Sequence, residues 1–200
     1  MRILISTSNI GDSYIFSLDL AKSIQDHGVE VFLVITGTPL TEQQKKQLEI
    51  VDYAFAEFKQ EWMENPWEDI KEAGLWLLKI KEMVKPDLVH LNSFAFGALP
   101  WNVPVVTVIH SCALSWWKAV YDEMRPAKYN VYKQKARAGF RASDVVVSPG
   151  FSMLSLAERF YGPFKRSRVI PHGRSSYDFR SDIKEKYIFS SGNIRDEGKN

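Results

Sequence analysis

The chain has 200 residues, with 26 lysines and arginines against 24 aspartates and glutamates, a formal net charge of +2. Its 45% hydrophobic and 25% charged residues exclude a disordered acidic or basic tail, and the length suits one large domain or two small ones. The single cysteine, Cys112, excludes an internal disulfide and a cysteine-based zinc site, and no run approaches ~20 apolar residues, so a soluble cytoplasmic protein without signal peptide or membrane span is expected.

Ile3-Leu4-Ile5 is an apolar run at the very start, as a buried central strand would be. A Ser/Thr/Asn/Gly loop from Ser6 to Ser13 follows, and Ser13 reads as the N-cap of a helix from Tyr14 to His27, with Gly28 past its end. Tyr14, Leu18, Ala21 and Ile24 fall on one face of that helix. Val31 to Ile35 is a second apolar run, so the chain opens on a right-handed, parallel βαβ unit. Thr41 to Ile50 reads as a polar helix and Tyr53-Ala54-Phe55 as a short strand. Asn65-Pro66-Trp67-Glu68 reads as N-cap, first-turn proline and capping-box glutamate. Ile70, Ala73, Leu77, Ile80 and Val84 then repeat at helical spacing up to Pro86.

Leu88 to Leu91 and Val105 to Ile109 are two further strands around a turn region at Gly97 and Pro100. A helical region from Ala113 to Gly139 carries Pro126, which should divide it. Val145-Val146-Val147 is a sixth strand, Phe151 to Phe160 a helix and Arg168-Val169-Ile170 a seventh strand. The alternation predicts a doubly wound, mostly parallel Rossmann-like α/β domain over residues 1–174. Residues 175–186 are polar and read as a linker, and Tyr187-Ile188-Phe189-Ser190 opens 187–200, the expected start of a second domain.

In such sheets ligands sit at the carboxyl ends of the strands. That rule selects the loop Ser6 to Ser13, His110-Ser111-Cys112, Ser148-Pro149-Gly150 and Pro171-His172-Gly173. Gly11 stands ahead of a helix, where free N–H groups meet negative charge, although a tight turn needing one glycine reads equally well. The loop is neither GxGxxG nor a Walker P-loop. His110 ends a five-residue apolar run, so it is either a working residue at a strand top or a core histidine; His90 lies inside its run and reads as structural. Trp116, Trp117 and Tyr121 follow, with Tyr129 and Tyr132, as aromatic faces for an acceptor sugar or as plain core. From Lys118 to Arg141 seven positive residues face two acidic ones, a local net of +5: a membrane-surface patch for a lipid-linked acceptor, an anion trap for a soluble one, or a solvated face. There is no HExxH, DxD or G-x-S-x-G, so no metal site and no serine hydrolase is expected, and no RRM or helix-turn-helix pattern, so no nucleic acid.

Four segments in order resemble the amino-terminal half of a GT-B glycosyltransferase of family 4. They are MRILISTSNIGDSYIFSLDLAKSIQDHGVEVFLVITG, the pair KPDLVHLNS and VPVVTVIHS, ASDVVVSPGFSMLSLAERFYGPFKRSRVIPHG, and YIFSSGNIRDEGKN. The resemblance implies metal-independent, retaining transfer of a sugar from a nucleotide-sugar donor to a sugar or lipid-linked acceptor. Catalysis would lie in the cleft between two Rossmann-like domains, with no cofactor. It implies that Gly11 lies near the leaving phosphate, that His110 bonds the donor sugar, that Gly173 borders the cleft and that Lys199 neutralises the diphosphate. Two departures stand out: Ile10 where relatives pair glycines, and Asn193 where they carry arginine, with Arg195 as the substitute. Without a donor-binding second domain the chain is expected to turn over little or nothing, and its uncovered surface to allow self-association. The alternative is a non-catalytic subunit that docks a separate donor-binding chain; a flavodoxin- or epimerase-like enzyme is a third reading.

Overall fold

The computed structural model describes residues 1–123, 126–174, 186 and 188. Apart from Lys186 and Ile188, the expected linker 175–186 and domain start 187–200 therefore lie outside the described residues, Arg195 and Lys199 among them.

A strand whose residues are apolar on both faces needs neighbours on both edges and cover on both sides. Strand β1 (Arg2–Ser8) has all four. It pairs in parallel with β2 (Glu30–Gly37) on one edge and with β4 (Leu88–Leu91) on the other. Beyond β2 lies β3 (Asp52–Glu57); beyond β4 come β5 (Val105–Val108), β6 (Val145–Ser148) and β7 (Ser167–Val169). The seven strands are all parallel and stand in the order β3-β2-β1-β4-β5-β6-β7, the expected Rossmann-like α/β sheet. The chain winds one way from β1 and then returns to wind the other, so a topological switch point falls between β1 and β4.

Side chains of successive strand residues point to opposite faces, and the core divides accordingly. Leu4, Val34, Val89 and Leu91 pack with Ala73, Leu77, Ile80 and Val84 of α3 (Trp67–Val84). Their neighbours Ile5, Leu33 and Ile35 pack with Tyr14, Leu18 and Ala21 of α1 (Asp12–Gln25) and with Leu48 of α2 (Glu42–Leu48). A third cluster gathers Ile109 and Val146 with Phe94, Tyr132, Phe140 and Tyr161 under α5 (Asn130–Ala142) and α6 (Phe151–Tyr161). The remaining helix, α4 (Ala113–Tyr121), is separated from α5 at Pro126, the division the proline predicts.

Among the helix and strand ends that differ from expectation, three have a clear physical reason. β1 runs on to Ser8, because Ser6 and Thr7 are buried and continue the ladder opposite Val34 and Ile35. The N-cap of α1 is Gly11 rather than Ser13: its backbone, at φ 87°, turns the chain into the helix, and Ser13 instead accepts Ser17 Oγ through its carbonyl at 2.7 Å. Asn65 does not cap α3. It takes a left-handed φ of 47°, and the carbonyl of Pro66 receives the first helical bond from Ile70 N–H. At α2, Thr41 and Gln44 form a reciprocal capping box, a Thr-x-x-Gln pattern plain in the sequence.

Close backbone approaches lock two regions. A Cβ on Gly37, at φ 143°, would stand 1.9 Å from Asn9 Oδ1, the atom that accepts Thr38 N–H at 3.1 Å. Asn9 thereby ties the loop after β1 to the end of β2. On the other side α5 touches the short 3-10 turn Ala95–Ala98, where a Cβ on Gly139 would stand 1.7 Å from the Phe94 carbonyl oxygen. Gly139→Ala is expected to destabilise the fold by about 3 kcal/mol, since backbone meets backbone and neither yields cheaply. Gly150→Ala, with open space around an extended backbone, should change urea-unfolding stability by less than about 0.5 kcal/mol.

Candidate functional site

The carboxyl ends of β1, β2, β4 and β5 and the loop that leaves β3 surround a cleft of about 770 Å³. Its floor is polar without being charged: the hydroxyls and backbone of Ser6 and Thr7 emerge from β1, and Thr36 from β2. Gly11, Asp12 and Ser13, the first residues of α1 and its cap, form one wall. A helix start presents unpaired N–H groups and favours negative charge, an effect that the Asp12 carboxylate already partly offsets.

His110 stands two residues beyond β5 and is half-buried. Its Nε2 lies 2.6 Å from Asn92 Oδ1. The Asn92 side chain in turn donates to the Ser6 carbonyl at 2.8 Å and to Ser17 Oγ at 3.1 Å. Phe16 of α1 meets the His110 ring edge-on at 4.8 Å, and His172 lies 4.8 Å from His110 and 4.5 Å from Phe16. Burial pushes His110 down to about 3, helped by the nearby rings of His172 and His90. His90, buried inside β4 as expected, is held at about 4 by burial. Just beyond, Arg174 Nε lies 3.1 Å from Asp19 Oδ2, so the segment leaving β7 is fastened to α1 twice.

Opposite α1 stands a wall that sequence reading missed. Glu61, only 8% exposed, follows β3 and lines the cleft. Its carboxylate accepts from Ser93 Oγ at 3.0 Å, Phe94 N–H at 3.1 Å and Ala95 N–H at 2.9 Å. Desolvation raises its proton affinity and those three donors lower it. Glu61 thus caps the 3-10 turn and fixes the loop that carries Asn92. Next to it Trp62 is 52% exposed on the cleft. The same strand-end rule, applied to β3, selects Gln60-Glu61-Trp62; applied to β4, it selects Asn92.

Of the residues singled out in the sequence, the structure brings Gly11, His110 and Trp116 to one cleft, together with Tyr129 and Tyr132. Trp117 and Tyr121 do not line it. Their rings lie tilted against each other at 4.4 Å, and Trp116 meets Tyr121 edge-on at 5.7 Å. Gly173 does not line it either, whereas its neighbour His172 reaches His110. Among the described residues no cluster of three or more His, Cys, Asp or Glu side chains could hold a metal ion, and no helix is long and apolar enough to cross a membrane.

The sequence profile of Glycosyltransferase Family 4 matches residues 15–175. A comparison with curated proteins found no match. Among solved structures, sucrose-phosphate synthase from Thermosynechococcus elongatus superposes with a TM-score of 0.64 at 12% identity, over 90% of this chain and 50% of that one. Phytolacca americana UGT2, complexed with UDP-2fluoro-glucose and pterostilbene, gives 0.59 at 12% identity, over 88% and 55%. UDP-GlcNAc 2-epimerase from Methanocaldococcus jannaschii gives 0.56 at 12% identity, over 84% and 45%. The chain thus spans about half the length of each, and at such identities the likeness is one of fold.

With His90 and His110 held low, the unfolded chain binds protons below about pH 6.5 that the folded chain refuses. Unfolding free energy in urea should therefore fall as the pH drops from 6.5 to 5, by up to about 1.4 kcal/mol per pH unit for each histidine. His110→Asn should flatten the slope; a wild-type stability that is level across this window would contradict the assignment.

Proposed function

The chain belongs to glycosyltransferase family 4, and from that premise we propose that it is the acceptor-binding half of a nucleotide-sugar-dependent, retaining glycosyltransferase. The observation that carries the reading is the cleft itself. It opens at the switch point of a parallel sheet and joins the start of α1 to a neutral histidine and an exposed tryptophan. The fold shared with a plant protein bound to UDP-2fluoro-glucose and pterostilbene supports a donor and an acceptor meeting here.

In this reading His110 bonds a hydroxyl of the donor sugar. A charged imidazolium there would waste its hydration, so neutrality suits the role. The Gly11 backbone and the start of α1 lie toward the leaving phosphate, and the acceptor lies over Trp116, whose exposed face suits a sugar ring. Tyr121 meets that ring edge-on and is itself packed on Trp117, which helps to keep the ring oriented. Gly173, Arg195 and Lys199 belong to the donor side, with a second domain supplying most nucleotide contacts. The reaction proceeds without a metal, and the chain alone transfers little sugar.

Ligand-observed NMR on the 200-residue chain, against a panel of sugars, polyols and nucleotide diphosphates, tests this. Millimolar binding of a sugar or polyol is expected, weakened at least about tenfold by Trp116→Ala and unchanged by EDTA. Tight nucleotide binding with no sugar binding would sink the reading. Binding that appears only once a separate donor-binding chain is added would favour the assembly-subunit alternative.

A further inference from the structure

We propose that Asn92 is a positioning residue: it locks His110 in the tautomer that carries its proton on Nε2, which leaves Nδ1 as a bare acceptor nitrogen. The argument is one of hydrogen-bond direction. The Ser6 carbonyl can only accept, so the Asn92 atom 2.8 Å from it is the amide nitrogen, and the amide cannot be turned around. The same β1 oxygen also accepts Asn92 backbone N–H at 3.1 Å. The second amide hydrogen goes to Ser17 Oγ at 3.1 Å, whose own hydrogen is committed to the Ser13 carbonyl at 2.7 Å. Every donor is placed, and the Asn92 oxygen is left facing His110 Nε2 at 2.6 Å. An oxygen at that distance requires a hydrogen on the ring nitrogen.

A neutral imidazole carries a single N–H, so Nδ1 is bare. Burial keeps the ring neutral, with Phe16 of α1 packed against it and the nearby rings of His172 and His90 adding to the effect. Among the described residues Nδ1 is buried without a partner. A hydroxyl that reached this buried lone pair would have to donate to it, and a group that offers only acceptors gains nothing there. The inference rests on the transferase reading only for the identity of that hydroxyl, a sugar hydroxyl, and not for the tautomer.

Nitrogen-15 labelling of the histidines in the 200-residue chain reads the tautomer directly at pH 7. His110 is expected to show a protonated, slowly exchanging Nε2 and an unprotonated Nδ1, unchanged down to pH 5. Ser17→Ala, which leaves the Ser6 carbonyl holding the amide, should preserve that pattern. Asn92→Leu should give a mixture of the two tautomers. A wild-type His110 with its proton on Nδ1, or an Asn92→Leu variant that keeps the single tautomer, overturns the proposal. Should Asn92→Leu not fold, the wild-type spectrum decides alone. The predicted tautomer without any sugar binding would refute the function and leave the lock standing.

Discussion

The placement of β1 constrains everything else in the molecule. An apolar strand beginning at the second residue is paired along both edges and covered on both faces, so four neighbouring layers take their register from it. Its ladder runs seven residues against β2 and four against β4, and the two partners diverge in chain order. That divergence opens the crevice at its carboxyl end. The crevice floor is thus the continuation of the most deeply buried strand.

This explains why the floor is hydroxylic. Ser6 and Thr7 continue the strand after Ile5, still buried, and replace apolar packing with groups that can bond. Ser6 bonds Asn92 through its backbone carbonyl, a position no side-chain substitution removes. Asn9, one residue past the strand, clamps the end of β2 and sets where the following loop turns into α1. The cleft inherits its rigidity from sheet backbone, and its specificity from the few side chains hung on it: His110, Glu61, Trp62 and Trp116.

The fold was legible because most strands are short β-branched runs and the longer helices repeat their apolar residues at one spacing. Ile70 to Val84 shows the second signal and Val145 to Val147 the first. Caps were less legible. Ser13 and Asn65 have the right chemistry for N-caps, yet backbone geometry at Gly11 and Pro66 decided otherwise. At the site, His110 and Gly11 could be read from strand ends. Glu61 could not be read as buried, because three donors from a distant loop make its burial tolerable, and those contacts span more than thirty residues. Trp117 and Tyr121 share composition with Trp116, and only three-dimensional packing separates the ring that lines the cleft from the two that do not.

The segment that leaves β7 grips α1 at two points, through the ring of His172 on Phe16 and through the Arg174–Asp19 ion pair. The helix so held is the one whose first turn walls the crevice and whose Phe16 abuts His110. The position of that helix, and with it one wall of the crevice, is therefore tied to the backbone that follows the last strand as well as to the sheet.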